Sequence, residues 1–355
     1  MTNARYFKLG ESWDTEYENF LHKSPTSLFY ASVAYRKLLM AYLEAEPVYL
    51  GAKDTHGNLL AVLPAFLRKN ERYGHIINSL PFYGSNGGVI EHEGNKEIQR
   101  GLLSFFDDVA RQLDCAATTI ITSPLEPHGD LYERHAGFDF KDQRIGQVTP
   151  LPKWTENLSN DLVGMFTDPR PRNIRRAIKS GVTVRWSRDS GDMDFLHATH
   201  CQNILAIGGI PKERKFFDQV LAMTPSKDYK IYCADIEGQQ VAALLLFYYN
   251  HTVEYFTPTI LDGYRTQQPL SLVIFEAMKD AAAERYLYWN WGGTWLTQSG
   301  VYDFKKRWGT VDYPYFYYSR LYRDELRTLT QAQLLSEYPN FYVLPFSQLR
   351  NREAI

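Results

Sequence analysis

One order of structural elements occurs twice along this chain, and that repeat limits the folds it can adopt. Each copy reads as strand, turn, strand, strand, loop, helix and closing strand. The two copies span 47–121 and 229–291. Two matching copies predict a duplicated α/β unit rather than one large domain. The length, 355 residues, also suits two domains of ordinary size.

Apolar periodicity and turn residues place the elements of each copy. In the second copy, Leu270, Val273, Ile274, Ala277, Met278 and Ala281 fall on one helix face. Pro269 suits the first turn of that helix, where its missing N–H is not needed. The predicted strands are 47–53, 59–67, 75–80, 118–121, 229–236, 240–249, 252–257 and 286–291, and the first helix is 95–113.

The segment between the copies differs in composition. Four prolines, Pro150, Pro152, Pro169 and Pro171, are predicted to break regular structure there. A short basic helix follows at 172–180 and ends at Gly181. We therefore predict domains at 1–150 and 151–319, and a tail at 320–355 with a helix at 324–337.

Composition excludes several classes of protein. The net charge of −2 argues against a polyanion binder as a whole, although a local basic patch stays possible. Three widely spaced cysteines, Cys115, Cys201 and Cys233, fit a reducing compartment. No apolar run of about 18 residues and no apolar leader is found. We expect a cytoplasmic protein. The 25 Tyr, 20 Phe and 7 Trp are typical of aromatic cores or of a cleft with stacking walls.

Catalytic and metal motifs are largely missing from the sequence. His197 and His200, with Cys201, share one helix face, but no second pair of ligands follows at the spacing of a zinc site. We expect no metal. The chain also has no GxSxG, no HExxH and no P-loop lysine. This argues against a serine hydrolase, a zinc protease and a P-loop ATPase.

The second copy resembles the GNAT acyltransferase fold. The resemblance rests on its strand meander, the loop 263–268 and the helix that follows. In that fold the loop and the helix N-terminus hold the phosphates of the acyl donor, as free N–H groups and the helix dipole favour. The resemblance implies that Arg265 and Gln268 bind the donor. The loop lacks the glycine-rich form usual in GNAT enzymes, which argues against coenzyme A.

Three further segments are similar to the FemAB-type family of tandem GNAT proteins. They are 80–84 (LPFYG) ahead of Gly87 and Gly88, the basic stretch 172–182, and 291–309, which contains Phe304 and Lys305. The resemblance covers roughly 25–320. It implies two GNAT-like domains facing a shared cleft, with 320–355 packed back on the first. The family includes aminoacyl-tRNA-dependent peptidyltransferases of cell-wall synthesis and acyltransferases of surface-polysaccharide pathways.

Lys305, with Phe304, is the strongest candidate for catalysis. Attack of an amine on an ester or thioester builds an oxyanion, which a fixed cation stabilises. In the family the matching Phe-Lys pair lies where the aminoacyl end of tRNA is held. The alternative is an exposed run of charges, Lys305, Lys306 and Arg307, and we expect such a lysine not to be buried.

The other candidates bind substrates. Arg172 and Arg176 share a helix face and are predicted to meet a phosphate of donor or acceptor, unless that helix is simply a solvated surface. Four residues are candidates for the acceptor site, each with a structural alternative such as a turn glycine or a strand aromatic. They are Tyr83, Gly84, Tyr255 and Arg36.

The predicted function is transfer of an aminoacyl group from aminoacyl-tRNA, or of an acyl group, to an amine of a cell-envelope precursor. No cysteine or serine stands in a nucleophile context, so we expect direct attack and no permanently bound cofactor. Asp303 and Glu254 are the nearest candidates for a general base. The acceptor is a small or lipid-linked amine, reached from the cytoplasm or the inner membrane face; tRNA is a possible partner and DNA is not.

Two alternatives stay open. One is an acyl-CoA N-acyltransferase of surface-polysaccharide synthesis, which the near-neutral charge favours because tRNA usually requires a broad basic face. The other is a non-catalytic GNAT-like module that binds glycan or RNA.

Overall fold

The chain folds into alternating helices and strands. The computed structural model describes residues 4–82, 86–126 and 129–350. The helices are α1 Asp14–Lys23, α2 Val33–Tyr42, α3 Lys96–Gln112, α4 Gly129–His135, α5 Leu158–Met165, α6 Arg170–Lys179, α7 Ser190–Leu205, α8 Arg214–Met223, α9 Pro269–Ala283, α10 Ser299–Lys306 and α11 Gln331–Glu337. Short 3₁₀ turns lie at Glu11–Trp13, Phe29–Ala31, Ser226–Asp228, Asp262–Gln267, Asp324–Thr328 and Phe346–Gln348.

Fifteen strands can be assigned within the described part of the chain. They are β1 Arg5–Lys8, β2 Glu46–Pro47, β3 Leu50–Lys53, β4 Leu59–Leu63, β5 Phe66–Arg68, β6 His75–Ser79, β7 Ile90–Glu91, β8 Cys115–Ile121, β9 Phe140–Pro150, β10 Thr183–Ser187, β11 Tyr229–Ile236, β12 Gln239–Tyr249, β13 Thr252–Ile260, β14 Tyr288–Trp295 and β15 Val311–Leu321. In the ranges described, no helix has both the length and the apolar character needed to cross a membrane.

The chain divides into two compact units. Unit 1 comprises Met1–Arg144 and Pro314–Ile355, and unit 2 comprises Ile145–Tyr313. The sequence-based boundaries, 150 and 319, lie within six residues of these divisions, which fall inside β9 and β15.

In unit 1, helix α3 covers a sheet with its apolar face. Asn95 caps this helix by accepting hydrogen bonds from the backbone N–H groups of Glu97 and Ile98. Buried side chains of α3, from Ile98 to Val109, pack with β3, β4 and β8 in one core. The strand orders are β1-β3-β4-β7 in a small sheet and β15-β8-β6-β5-β2 beside it.

In unit 2, the strand order is β10-β11-β12-β13-β14-β9. Helices α6 and α9 pack on this sheet and contribute Ile174, Ala177, Val273 and Ala277 to one buried core. Pro269 lies in the first turn of α9, as the sequence predicts.

The two copies of the repeat share their strand connections. In unit 2, β11 pairs with β12 and β12 with β13, both antiparallel, and β13 pairs with β14 in parallel across α9. In unit 1, β3 pairs with β4 and β5 with β6, both antiparallel, and β6 pairs with β8 in parallel across α3. The duplicated α/β unit is therefore confirmed in its topology.

Unit 1 differs at one point of the repeat, because its second strand is broken. The predicted strand 59–67 becomes β4 and β5, which belong to different sheets. Pro64 lies at the break, and a proline lacks the N–H that a continuous ladder requires.

Two other predictions are corrected. The single helix predicted at 324–337 is a 3₁₀ turn followed by α11, because Thr330 and Gln333 form a capping box that starts a new helix. Pro171, predicted to break structure, lies in the first turn of α6, where proline is tolerated. The basic helix therefore begins at Arg170, two residues before the predicted start.

Gly309, just after α10, packs closely against the backbone of Met165, and this contact can be tested. Its φ is +75°, and a Cβ there would lie 3.0 Å from the carbonyl oxygen of Met165. We expect Gly309→Ala to lower the free energy of unfolding by about 1–2 kcal/mol, because alanine is strained at positive φ. Urea denaturation of the full chain measures this change.

The matched control is Gly164→Ala in α5, where a Cβ meets nothing within 4 Å. Removing a glycine from an exposed helix should raise stability by about 0.5–1 kcal/mol. Equal stability of the two variants would contradict the packing described for Gly309.

Candidate functional site

Strands β13 and β14 of unit 2 pair only at their beginnings. Their parallel register comprises three residue pairs, which end at Glu254 and Asn290. Both strands continue, β13 to Ile260 and β14 to Trp295. Beyond the last pair, their facing backbone edges are therefore not hydrogen-bonded to each other in the ladder. We call this opening the fork.

A β-bulge on β13 lies just beyond the start of the fork. Leu246 of β12 is opposite Tyr255, whereas Leu245 is opposite Thr257, so Phe256 is the extra residue. Bulges increase strand twist and redirect backbone groups, and they are frequent next to functional sites. The bulge thus accompanies the separation of β13 from β14.

The segment after β13 leads directly into helix α9. It forms the 3₁₀ turn Asp262–Gln267, and Gln268 then caps α9 with φ +60°. A left-handed conformation is unusual for a residue other than glycine. The Gln268 side-chain amide stabilises it by donating to the carbonyl oxygen of Arg265 at 2.8 Å. Arg265 is exposed, and its Nε donates to Asp262 at 2.7 Å.

Aromatic rings line one face of the sheet where the fork begins. Tyr255 and Trp291 are the first residues beyond the last pair, and their ring centroids are 4.8 Å apart. Trp308 stacks on Trp291 at 5.7 Å, and Phe304 lies edge-on to Trp291 at 6.2 Å. Burial raises the pKa of Tyr255, so its phenol stays protonated at neutral pH.

Lys305, at the end of α10, is buried, with 7% of its surface exposed. This corrects the expectation of an exposed lysine. Its Nζ donates to the carbonyl oxygens of Gly292 and Gly293 at 3.3 and 3.0 Å, and to Thr294 Oγ1 at 2.9 Å. An ammonium group has three N–H donors, so these acceptors saturate it. Burial lowers the pKa of Lys305 to about 8.

A buried polar network continues from Lys305. Thr294 Oγ1 donates to Gln147 Oε1 at 3.0 Å, and Gln147 Nε2 donates to the carbonyl oxygen of Tyr302 at 3.2 Å. On the same strand, Thr149 accepts from Trp291 Nε1 at 2.9 Å and donates to the Trp308 carbonyl oxygen. These contacts hold α10 on β14 and β9, and a satisfied buried network of this kind specifies one arrangement.

Arg170, the first residue of α6, is also buried. Its guanidinium carbon lies 4.2 Å from the Phe304 ring centroid, and Nη2 donates to the Phe304 carbonyl oxygen at 3.1 Å. Its Nε has no hydrogen-bond partner among the described residues. Burial and the neighbouring Arg307 lower the pKa of Arg170 to about 10, so it remains charged at neutral pH.

The rest of α6 presents an unpaired cationic face. Arg172, Arg175, Arg176 and Lys179 are exposed, and none has an ion-pair partner within 4–82, 86–126 or 129–350. Helix α6 contacts both α9 and the turn Asp262–Gln267. Arg172 and Arg176 therefore lie on a helix that adjoins the turn Asp262–Gln267, and their contact with a phosphate stays a prediction.

The candidate bases differ in their environments. Glu254 is 1% exposed, and its Oε2 accepts from Asn290 Nδ2 at 2.8 Å at the last pair before the fork. Asp303 is exposed on α10. Glu254 is therefore the candidate that the fold places at the fork itself.

The remaining candidates lie in unit 1. Arg36 on α2 is buried, forms an ion pair with Asp14, and lies 5.1 Å from the Tyr49 ring centroid. This pairing occupies part of its donor capacity. Tyr83 and Gly84 lie outside the described residues.

The histidines on α7 make contacts that do not require a metal. His197 Nε2 lies 3.4 Å from Cys201 Sγ, and His200 Nε2 accepts from the backbone N–H of Lys212 at 3.0 Å. Burial lowers the pKa of His200 to about 4. In the part of the chain that the structure describes, no group of three or more His, Cys, Asp or Glu residues is placed to bind a metal ion.

Comparison with known proteins agrees with this architecture. Residues 170–306, from α6 to the end of α10, match the acetyltransferase (GNAT) domain family. The crystal structure of FemX aligns with a TM-score of 0.73 over 91% of this chain and 98% of that one, at 14% identity. The chain has a FemAB-type, tandem GNAT fold. The sequence-based resemblance is thereby confirmed.

Two further solved structures align along most of this chain. The C-terminal domain of a proposed lysylphosphatidylglycerol synthetase from Agrobacterium fabrum aligns with a TM-score of 0.56 and 14% identity, covering 91% of this chain and 97% of that one. A tandem GNAT protein of the clavulanic acid pathway aligns with a TM-score of 0.53 and 8% identity, covering 90% and 98%. A search of curated protein sequences finds no match.

Sequence reasoning missed several residues of this site. Gln147 and Thr149 are fully buried polar residues two positions apart on β9. Their alternation with apolar neighbours is a signal that sequence inspection can detect, because residues i and i+2 share a strand face. Arg170 and Thr294 carry no comparable signal, since their partners lie far away in the sequence. Arg170 bonds to the Phe304 carbonyl oxygen, and Thr294 bonds to Gln147 and Lys305.

The buried ammonium predicts a pH dependence of stability. The pKa of Lys305 is about 8 in the folded chain and about 10.4 in an unfolded one. Between these values the unfolded state holds a proton that the folded state has released, so raising the pH favours folding. The free energy of unfolding of the wild type, relative to Lys305→Met, should therefore rise between pH 8 and pH 10 and stay level below pH 8.

Denaturant unfolding at a series of pH values measures this difference. Lys306→Met is the control, because Lys306 is exposed and pairs with Asp312 at 3.2 Å. A difference curve for Lys305 that is as flat as the control curve would show that its ammonium is not desolvated.

Proposed function

We propose that this chain transfers an aminoacyl or acyl group from a phosphate-bearing donor to an amine of a cell-envelope precursor. The observation that carries the proposal is the fork. It opens after three parallel residue pairs, directly ahead of the turn Asp262–Gln267 and the N-terminus of α9. An extended donor placed along the open strand edges can hydrogen-bond to backbone groups there, while its phosphates meet the helix N-terminus.

The proposed reaction is direct attack by the amine. Its nitrogen bonds to the carbonyl carbon of the donor ester or thioester, and the carbonyl oxygen takes the negative charge. The tetrahedral intermediate then collapses, the carbon–oxygen or carbon–sulfur bond to the carrier breaks, and the proton lost by nitrogen passes to the leaving group or to water. An α-amine, with a pKa near 8, needs little assistance to lose its proton. Where a base is needed, Glu254 at the fork is our candidate.

The finer proposal is that the donor is aminoacyl-tRNA. Four unpaired cations lie on the ten-residue helix α6, and this helix adjoins the donor loop. A helix of that length spans about 15 Å, which is longer than a diphosphate and suits a chain of successive phosphates. The FemAB-type fold favours the same donor.

Acyl-CoA is the second candidate donor. The family that matches 170–306 is an acetyltransferase domain, and the match covers the fork, the donor loop and α6. The net charge of −2 also favours a small donor over a large polyanion.

We propose that Lys305 supports the reaction indirectly, by fixing the position of the β14 edge of the fork. Its three N–H groups are already donated to Gly292, Gly293 and Thr294, at the end of the β14 edge of the fork. To stabilise the oxyanion directly, the Lys305 ammonium would have to break one of these hydrogen bonds. Phe304 is held in turn by Arg170, so the Phe304–Lys305 pair fixes the geometry of the fork.

A donor screen tests the reaction. The full chain is incubated with a mixture of aminoacyl-tRNAs, or with acyl-CoAs, and with amine-bearing envelope precursors, and the products are identified by mass spectrometry. We expect a new amide bond with one donor class. If no donor of either class gives an amide, the transferase proposal fails and the non-catalytic binding module is favoured.

The cations of α6 predict how donor binding responds to salt. Arg172→Ala/Arg176→Ala should weaken tRNA binding and reduce the slope of log K against log salt by roughly 1 for each phosphate contact removed. Filter binding at several salt concentrations measures the slope.

The matched control is Lys227→Ala/Arg285→Ala. Both side chains are exposed, and they lie at the opposite edge of unit 2, before β11 and after α9. The slope should not change in this control. The same slope in both double variants would mean that α6 is a solvated surface.

Paired substitutions test the role of Lys305. Lys305→Met and Thr294→Val both disturb the Gly292–Thr294 segment of β14, and if position is what matters both should lower kcat, on the order of 10²-fold, with little change in acceptor KM. Lys306→Met should have a small effect. A large loss in Lys305→Met with a normal rate in Thr294→Val would instead restore the lysine as the cation that stabilises the oxyanion.

A further inference from the structure

Two isoleucines project from the loop that joins α7 to α8. Ile207 and Ile210 are 79% and 85% exposed, among the largest exposures of any apolar side chain in the described residues. Leu205, at the end of α7, is exposed as well. Single exposed apolar residues are common, but three within six positions form a patch that water solvates poorly.

The end of α7 fixes the position of this loop. Asn203, in the last turn of the helix, donates from Nδ2 to the carbonyl oxygen of Ile260 at 2.8 Å. Its Oδ1 accepts from the backbone N–H of the same residue at 3.0 Å. Ile260 is the last residue of β13. The isoleucine loop therefore begins beside the carboxyl end of β13.

A second apolar group lies at the same edge of the sheet. Trp295 ends β14, Leu296 follows in the connection to α10, and Val301 lies in the first turn of α10; all three are exposed. Strands β13 and β14 are parallel, and they extend six and five residues beyond their last pair. Their carboxyl ends therefore lie at one edge, on either side of the fork. We call the side chains of Leu205, Ile207, Ile210, Trp295, Leu296 and Val301 the apolar rim.

The cationic face of α6 adjoins this edge. Helix α6 contacts the turn Asp262–Gln267, which begins two residues after the end of β13. Its exposed cations, from Arg172 to Lys179, have no carboxylate partner in the described ranges. One edge of unit 2 thus combines exposed apolar side chains with an uncompensated positive surface.

The combination of apolar and cationic side chains favours one kind of binding partner for this surface over others. RNA would meet the cations, but it offers ribose and phosphate rather than apolar surface to the isoleucines. A second copy of the chain, docked by two-fold symmetry through the same edge, would bring the two cationic faces together and repel. An anionic bilayer satisfies both parts, since its headgroups attract the cations and its acyl region takes the apolar side chains.

We propose that the apolar rim and α6 dock the carboxyl edge of unit 2 on an anionic lipid surface. The proposal goes beyond the transfer reaction, because it assigns a membrane-contacting face. It fits the acyl-CoA donor, since aminoacyl-tRNA bound along α6 would occupy the same cations. It also brings the fork to the bilayer, where an amine carried on a lipid would be presented.

Vesicle co-sedimentation of the full chain tests the proposal. Wild-type protein should bind vesicles of phosphatidylcholine mixed with phosphatidylglycerol, and should bind much less to phosphatidylcholine alone. Ile207→Ser/Ile210→Ser should weaken binding to the mixed vesicles on the order of tenfold or more, because two isoleucines lose their transfer into the acyl region. Both side chains are exposed, so the melting temperature should not change.

The matched control is Met223→Ser/Leu287→Ser. These apolar side chains are also exposed, but they lie near the opposite edge, ahead of β11 and β14. Binding in this control should equal that of the wild type.

Three results would overturn the proposal: no binding of the wild type to mixed vesicles, equal loss in the two double variants, or a rim variant that changes the oligomeric state in light scattering and leaves vesicle binding intact. The last result would assign the rim to a second copy. Acyl transfer to a soluble amine should persist in the rim variant, so failure of the docking proposal and failure of the transferase proposal give different results.

Discussion

Parallel pairing between β13 and β14 stops after three residue pairs, and much of unit 2 is arranged around that stop. A continued ladder would satisfy the facing backbone groups internally and leave no room between the strands. The bulge at Phe256 redirects β13, and the aromatic rings of Tyr255 and Trp291 pack where the strands part. The unpaired edges, the turn Asp262–Gln267 and the cationic helix α6 are all found at this one place in the sheet.

Holding the fork in shape requires β14 to be fixed where it no longer pairs with β13. Lys305 provides this by directing a buried ammonium at two backbone carbonyls and a threonine hydroxyl. A buried cation without a carboxylate is costly, and only a full set of hydrogen bonds makes it tolerable. Gln147 and Thr149 extend the same hydrogen-bonded network onto β9.

The sequence predicts the positions of the helices and strands better than the contacts that their side chains make. Helix α9 can be predicted because six apolar residues keep helical spacing after Pro269. The repeat can be predicted because the hairpins of its two copies match. The burial of Lys305 cannot be predicted from the sequence, since three adjacent cations usually indicate a solvated surface. Two of its three partners are backbone carbonyls, which no residue type marks. The break at Pro64 shows the same limit, because the apolar run 59–67 continues through it while the strand changes sheets. Ile207 and Ile210 would be assigned to a core by composition, and only the end of α7 places them in solvent.

The conformation of Gln268 has a consequence for the speed of ligand capture. A left-handed residue other than glycine stores on the order of 1 kcal/mol, yet here its own side chain fastens the turn by bonding to Arg265. The turn is thus fastened by the chain itself, and an anion that bound there would not have to organise it. Less conformational entropy is lost at the moment of binding, and encounter is not delayed by a search among loop conformers. A glycine in that place would relieve the strain but return the loop to an ensemble that each ligand would have to order anew.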